Sequence, residues 1–315
     1  MNNLEGAAAP VWVQPVASII RHLPAGRYRL MNWLSRRPSL PPFRMRMSTE
    51  LGGLSFECDL KDAIAREVCF TGRYEPQDTA LIQSLLAPGM TFVDVGANWG
   101  YYTLLAAHLV GARGRVVSLE PDPRLFPILM KNIGYNRLDN ATALQIAAAD
   151  EASVLILSGY NEEDDNRGLS RLVEQAERGA RSFQVQGQAI DAVLDEHGIG
   201  EVDLLKMDIE GAEELALRGM SRGLSAQRFR RILLELHPAM LAERGIRTED
   251  VLNLMLKSGY EGWWLDFSPT ANRKAAYART LDFRDYLRPL TGASAELDAW
   301  PHILWQAPGL ELPKS

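Results

Sequence analysis

Apolar and polar positions along the chain change period several times. Thr91–Val95 is a short apolar, β-branched run of the kind that forms a buried parallel strand. It breaks into Gly96-Ala97-Asn98-Trp99-Gly100, and helical spacing follows. From Met90 onward strand-like and helix-like patterns alternate, as a parallel sheet requires. The runs predict strands near 91–95, 115–119, 142–147, 202–207 and 230–236, and helices near 99–110, 122–135, 212–219 and 248–258. Two late runs, Gly262–Asp266 and His302–Gln306, offer further strands. Upstream, Phe43–Leu60 alternates around Gly52-Gly53 as a hairpin, and Pro76–Leu86 has helical spacing closed by Pro88-Gly89. Asn161–Arg181 opens with four consecutive carboxylates, Glu162 to Asp165. It reads as a solvated loop or as a cover that orders over an active site.

The first strand and its turn carry the strongest chemical signal. A strand, a glycine turn and a helix N-terminus bring a ligand against exposed backbone N–H groups. Glu120 lies 24 residues beyond Gly96 and closes the next apolar run, where a carboxylate can accept from both hydroxyls of a ribose. A dinucleotide fingerprint would place a second glycine where Asn98 stands, and Asp94 would repel a pyrophosphate. Both residues favour S-adenosylmethionine, with its sulfonium and amine, over NAD. An NAD-type oxidoreductase on a similar sheet is the alternative enzyme. A non-catalytic S-adenosylmethionine-binding sensor is the alternative outside enzymes.

Ligands of open α/β sheets bind at the carboxyl ends of the strands, which ranks the candidates. The first strand end offers Asp94, Gly96, Ala97, Asn98 and Gly100. The second offers Glu120 and Pro121. The third offers Asp150 after three alanines, suited to an adenine and its amine. The fourth offers Asp208 and Glu210, and the fifth Glu235 and His237. Transfer to oxygen needs alignment and a base. His237, Asp208 and Glu210 are the candidate catalytic residues. Asp208, Glu210, Glu235 and His237 would also make a set of hard metal ligands, but their spacing is not diagnostic and no metal is expected. His22, His108, His197 and His302 have no carboxylate motif around them and read as structural.

Asp94-Val-Gly-Ala-Asn-Trp-Gly-Tyr-Tyr-Thr103, Glu120-Pro-Asp-Pro123, Asp203-Leu-Leu-Lys-Met-Asp-Ile-Glu-Gly-Ala-Glu213 and Glu235-Leu-His-Pro238 occur in that order. The set resembles the FkbM-type family of S-adenosylmethionine-dependent methyltransferases over roughly residues 55–306. The resemblance implies a Rossmann-like class I methyltransferase fold, α/β, with a seven-stranded mostly parallel sheet whose last strand returns antiparallel and helices on both faces. It also implies O-methylation of a sugar, glycoconjugate or natural product. Asn166 and Ser170, flanking Gly168, look like that family's polar loop beside the cofactor.

Composition adds less. The chain of 315 residues is 46% hydrophobic and 23% charged, an ordinary globular balance, and its net charge of −6 argues against nucleic acid as a partner. Charge is unevenly spread. Residues 1–49 hold seven arginines and Glu5, a net +6, leaving −12 for the remainder. We therefore expect a basic helical arm with a Pro-rich linker at 1–42, a hairpin-and-helix accessory segment at 43–89, and the cofactor-binding catalytic domain at 90–315. Arg27–Arg37 suits a short helix with Leu30, Trp33 and Leu34 on one face. Such a helix fits packing on the catalytic body, on a second copy in a homo-oligomer, or weak peripheral contact with an anionic membrane. Cys58 and Cys69 make neither a disulfide framework nor a metal cluster. Val11–Ile20 is interrupted by Gln14 and Pro15 and is followed rather than preceded by basic residues. It is a poor signal peptide, and a cytoplasmic enzyme is the expectation.

Overall fold

The computed structural model describes residues 7–35, 40–159, 170–175, 181–292 and 299–312. Helices α1 (Val13–His22) and α2 (Arg27–Ser35) precede a hairpin of β1 (Phe43–Arg46) and β2 (Ser55–Cys58), then α3 (Ala63–Thr71) and α4 (Pro76–Leu85). The alternating region follows as β3 (Thr91–Val95), α5 (Tyr101–Val110), β4 (Arg115–Leu119), α6 (Phe126–Asn136) and β5 (Ala141–Leu144). Next come β6 (Ala147–Ala149), β7 (Ser153–Ser158), β8 (Arg171–Val173) and β9 (Ser182–Ala189). The chain continues through α7 (Ile190–Glu196), β10 (Leu204–Met207), α8 (Glu213–Arg218), α9 (Ser221–Ser225), β11 (Arg231–Glu235), α10 (Pro238–Glu243) and α11 (Thr248–Lys257). It ends with β12 (Glu261–Leu265), α12 (Pro269–Tyr277), β13 (Leu287–Pro289) and β14 (His302–Gln306).

The main sheet runs β13-β12-β14-β11-β10-β3-β4-β5. From β11 to β5 all neighbours are parallel, and β14 inserts antiparallel between β11 and β12. This is the class I methyltransferase sheet that the resemblance implied, with the last strand reversed. It has eight strands rather than seven, because β13 pairs antiparallel on the outer edge of β12. Side chains alternate between two cores, as the period of a strand dictates. Phe92, Val116, Leu204, Leu233 and Leu304 face one, shared with α4, α5 and α6. Val93, Val117, Leu205, Ile232 and Ile303 face the other, shared with α7, α8 and α11. Burial on both faces explains why these strands read as continuous apolar runs.

Two expectations need correction. The strand foreseen at 142–147 is two strands: β5 belongs to the main sheet, and β6 begins a second one. That four-stranded sheet, β6-β9-β7-β8, was not foreseen. Of its strands, β9 alternates apolar and polar residues, β6 is three alanines and β8 is three residues long. Much of the 161–181 loop falls outside the described residues, including Asn166 and Gly168.

The hairpin forms as expected, with Phe43 opposite Cys58. It shares one core with α1, α2 and α3: Val13, Ala17, Ile20, Met31, Phe43, Cys58, Cys69 and Phe70 are buried together. Leu30 and Leu34 pack against this core, whereas Trp33 is 51% exposed. Both cysteines are free thiols. No helix among the described residues is long and apolar enough to cross a membrane.

Ile20 discriminates an integrated α1 from a detached arm. Ile20→Ala should cost about 2–5 kcal/mol in denaturant unfolding, as a core truncation does. A change below about 0.5 kcal/mol would show that α1 leaves the body in solution.

Candidate active site

The turn after β3 is held from three sides. Gly96 and Ala97 both donate their N–H to Leu119 O, each at 3.0 Å. Asn98, left-handed at φ +52°, donates its N–H to Glu120 Oε2 at 2.7 Å, and Asp122 N–H donates to Glu120 Oε1 at 2.8 Å. Asn132 of α6 donates to Trp99 O and accepts from Glu57 N–H, each at 2.7 Å, which ties the turn to the hairpin. Gly96 sits at φ +84°, and a Cβ there would lie 1.9 Å from Asp208 O, so only glycine fits. A Cβ on Gly100 would meet Leu129 at 2.6 Å.

A pocket with a cavity volume of about 60 Å³ opens above this turn. Of the residues expected to bind a cofactor, Gly96, Asn98, Glu120, Pro121 and Asp208 line it, together with Glu210. Leu125, Ile146, Ala148 and Leu172 form an apolar end, with Ser170 at its edge. The mixture of apolar wall and few polar groups is that of a small-molecule site. Leu172 comes from the unforeseen second sheet. Ser170 and Arg124 hold the buried Asp122, at 2.6 and 2.7 Å. Burial would push the Asp122 carboxyl up, but these bonds outweigh it and hold it below the usual range.

Other candidates lie elsewhere. Asp94 is buried beneath the turn and accepts from Thr103 Oγ1 at 2.6 Å, joining β3 to α5; burial pushes its carboxyl up to about 6. Ala97 and Gly100 shape the turn without lining the pocket. Asp150, expected near an adenine, instead pairs with Arg218 at 3.3 Å outside the pocket lining. The Glu120 carboxyl is pushed up to about 8 by burial, against the two backbone N–H bonds it receives.

At the other end of the pocket the catalytic candidates converge. His237 Nδ1 donates to the buried Glu213 Oε1 at 2.6 Å. Its Nε2 then faces Glu210 Oε2 at 3.3 Å, Glu235 Oε1 at 3.7 Å and Asp208 Oδ1 at 3.9 Å. Burial works against a charged imidazole, but Glu213 and Asp208 raise His237 to about 9. Lys206, buried, places Nζ 3.2 Å from Asp208 Oδ2 and 4.8 Å from the centre of the Tyr102 ring. Despite burial, Lys206 and His237 hold the Asp208 carboxyl below its ordinary value. Burial pushes Glu210 up to about 7.

His302 does not have the purely structural surroundings expected of it. Its Nδ1 donates to the buried Asp78 Oδ2 at 2.7 Å, its Nε2 lies 3.6 Å from Glu235 Oε1, and its ring stacks on Phe267 at 3.9 Å. Asp78, Glu75 and His302 were missed because they meet across 224 residues of chain, a separation that leaves no local pattern. His22 and His197 bond to backbone carbonyls four residues earlier, as structural histidines do. Among the described residues, two triads could hold a cation: Asp208, Glu235 and His237, and Glu75, Asp78 and His302, each with ligand atoms within 4.8 Å of one another. Beyond Glu235 and His302 opens a wider chamber of about 540 Å³, with Tyr74, Gln77, Asn272 and Trp300 in its walls.

Comparisons with known proteins bear on the family to which the chain belongs. The profile of the Methyltransferase FkbM domain matches residues 94–261. The 31-O-demethyl-FK506 methyltransferase FkbM of Streptomyces tacrolimicus is 28% identical over 181 residues, covering 48% of this chain and 67% of that protein. The 2-O-methyltransferase NoeI of Sinorhizobium fredii is 24% identical over 186 residues, covering 56% and 74%. Methyltransferase sdnD of Sordaria araneosa is 29% identical over 154 residues, and the match spans 41% of this chain and 59% of that one. The solved structure of Methyltransferase FkbM from Methylobacillus flagellatus aligns with a TM-score of 0.42 at 15% identity, over 92% of this chain and 60% of that one. With its domain matched over more than half its length, the chain belongs to the FkbM methyltransferase family.

Proposed function

We propose that the protein transfers a methyl group from S-adenosylmethionine to a hydroxyl of a polyhydroxylated acceptor, a sugar, glycoconjugate or natural product. One observation carries this reading. A single pocket runs from an apolar end, past the Glu120 carboxylate at the end of β4, to Asp208 and Glu210 at the end of β10. Adenine fits the apolar end, the ribose hydroxyls reach Glu120, and the methionine part lies along Gly96 and Asn98. The sulfonium then points toward Asp208 and Glu210.

The acceptor enters from the chamber on the far side of Glu235. Its oxygen attacks the methyl carbon, the S–C bond breaks with its electron pair left on sulfur, and S-adenosylhomocysteine forms. Most of the rate comes from alignment of oxygen, carbon and sulfur. The hydroxyl proton goes to Glu210. Asp208 also lines the pocket, but Lys206 neutralises it. His237 stands behind the pocket wall, where Glu213 fixes its ring and its Nε2 steadies Glu210.

Calorimetry tests the cofactor. Glu120→Ala removes hydrogen bonds from both ribose hydroxyls and should weaken S-adenosylmethionine binding at least tenfold, from a loss of about 2–4 kcal/mol. Unchanged affinity in a folded variant would remove Glu120 from the site. The ligand-free carboxyl sits at about 8, and hydroxyl donors bind its ionised form. Wild-type affinity should therefore rise as the pH passes from 6 to 9, and Glu120→Gln should lack this pH dependence.

Glu210→Gln tests the base. With methyl glycosides as the acceptor panel, S-adenosylhomocysteine formation should fall by about 10²–10⁴-fold while S-adenosylmethionine affinity stays within threefold. If His237→Ala shows that pattern and Glu210→Gln does not, the imidazole takes the proton.

A further inference from the structure

Glu235, at the end of β11, occupies an unusual position. Its Oε1 stands between two imidazoles, 3.7 Å from His237 Nε2 and 3.6 Å from His302 Nε2. Neither contact is a hydrogen bond. Its Oε2 is buried and has no hydrogen-bond partner among the described residues. Each imidazole is turned toward Glu235 by a fully buried carboxylate on its other nitrogen, Glu213 for His237 and Asp78 for His302. A histidine whose Nδ1–H is tied to a carboxylate presents Nε2 to the site, the common orientation of metal-binding histidines, and a metal bound there displaces the Nε2 proton that the neighbouring carboxylates otherwise retain.

The surrounding charge points the same way. Glu75, Asp78, Asp208, Glu210, Glu213 and Glu235 face Lys206 and the two imidazoles. Six carboxylates outnumber three cations even with both histidines protonated. Such an excess is relieved by protons, which burial makes Glu75, Glu210 and Glu235 hold more tightly, or by a metal cation that takes their place. S-adenosylmethionine brings a net charge of about +1, which leaves the excess uncancelled.

We infer that Asp208, Glu235 and His237 bind a divalent cation, with His302 closing the site from the chamber side. The three ligand atoms lie within 4.8 Å of one another, with Nε2 3.7 Å from Glu235 and 3.9 Å from Asp208. Ligands at about 2.1 Å from a metal are separated by about 3.0–4.2 Å, so small side-chain adjustments close the shell. Lys206 occupies Asp208 Oδ2 and leaves Oδ1 facing the histidine. One imidazole with two carboxylates and open positions suits Mn²⁺ or Zn²⁺ better than Ca²⁺.

The role of the ion rests on the proposed methyl transfer. Its open positions face the chamber, so it would hold the acceptor hydroxyl and lower that group's proton affinity, while Glu210 still receives the proton. Binding of the ion does not depend on that reading, which lets the two be tested apart.

The full-length chain, stripped with EDTA and dialysed, is titrated with MnCl₂ while the electron paramagnetic resonance signal of free aqueous Mn²⁺ is followed. We expect saturable uptake of one equivalent, weakened at least tenfold in Glu235→Gln. ZnCl₂ should displace the bound Mn²⁺. The wild-type titration needs no variant, and His302→Asn provides a second one if Glu235→Gln does not fold. Absence of saturable Mn²⁺ and Zn²⁺ binding in protein that still binds S-adenosylmethionine would overturn the cation site and leave the methyl-transfer reading standing. Uptake undiminished in folded Glu235→Gln would also overturn it. Tight Mn²⁺ uptake in protein that does not bind S-adenosylmethionine would support the cation site and sink the other reading.

Discussion

Everything in the site depends on one backbone crossing, where Gly96 passes under the carbonyl of Asp208. Asp208 N–H bonds to Val95 O at 3.0 Å, and a Cβ on Gly96 would sit 1.9 Å from Asp208 O. Two parallel strands, β3 and β10, therefore stay together one residue past their ends before their chains diverge. The divergence opens the pocket, as at the switch point of other open α/β sheets. The same contact fixes the Gly96–Asn98 turn relative to Asp208 and Glu210 with little freedom, since backbone packed on backbone cannot change rotamer. Reactions governed by alignment need that rigidity, because a small displacement of the nucleophile is costly in rate.

A second consequence is electrostatic. The crossing holds Asp208 beside Lys206, and the tight loop that follows, with Glu210 at φ +49° and Gly211 at φ +89°, turns Glu213 back toward His237. Gly211 N–H donates to the same Glu213 oxygen at 2.9 Å. The imidazole is thus fixed by a carboxylate that is itself fixed by backbone. Burial in this region raises Glu210 and Glu235, and carboxylates raise His237 and His302. All four hold protons more tightly than in the unfolded chain. Without a bound cation, their contribution to stability is therefore greatest at low pH and drains away as pH rises, for Glu210 between about 4.5 and 7 and for the two imidazoles between about 6.5 and 10.

How much of this was legible depends on the range over which each signal operates. Strands β3 and β4 lie where the apolar runs placed them, because burial on both faces leaves a continuous signal. Glu120 was legible from its distance beyond Gly96, and Asp208, Glu210 and His237 from their places at strand ends. The second sheet was not legible: β6 is three alanines that read as the tail of the preceding strand, and β8 is too short for a period. Asp150 follows small residues at a strand end, and its pairing with Arg218, 68 residues away, is a contact that no local pattern announces. His302 and Asp78 have no local pattern, since their pairing exists only once the sheet is assembled. Seven arginines and a proline cluster drew attention away from the stripe Val13, Ala17 and Ile20, whose helical spacing already announced a buried face.

The two halves of the site have different origins in the chain. Every residue lining the pocket above the Gly96 turn lies within the matched domain, residues 94–261. The chamber beyond Glu235 is the reverse. Tyr28, Tyr74, Glu75 and Gln77 come from before the domain, Phe267, Asn272, Trp300 and His302 come from after it, and Glu235 alone comes from within. Hydrogen bonds tie the flanks together, since Gln77 Nε2 donates to Asn272 Oδ1 at 2.7 Å and His302 to Asp78. The flanking segments therefore form one wall, anchored on the α1–α3 core and on β14. This wall can vary while the pocket stays unchanged, because the two cavities share no lining residue among the described residues. Substitution in the wall alters the shape offered to a second ligand without disturbing the Gly96–Asp208 crossing.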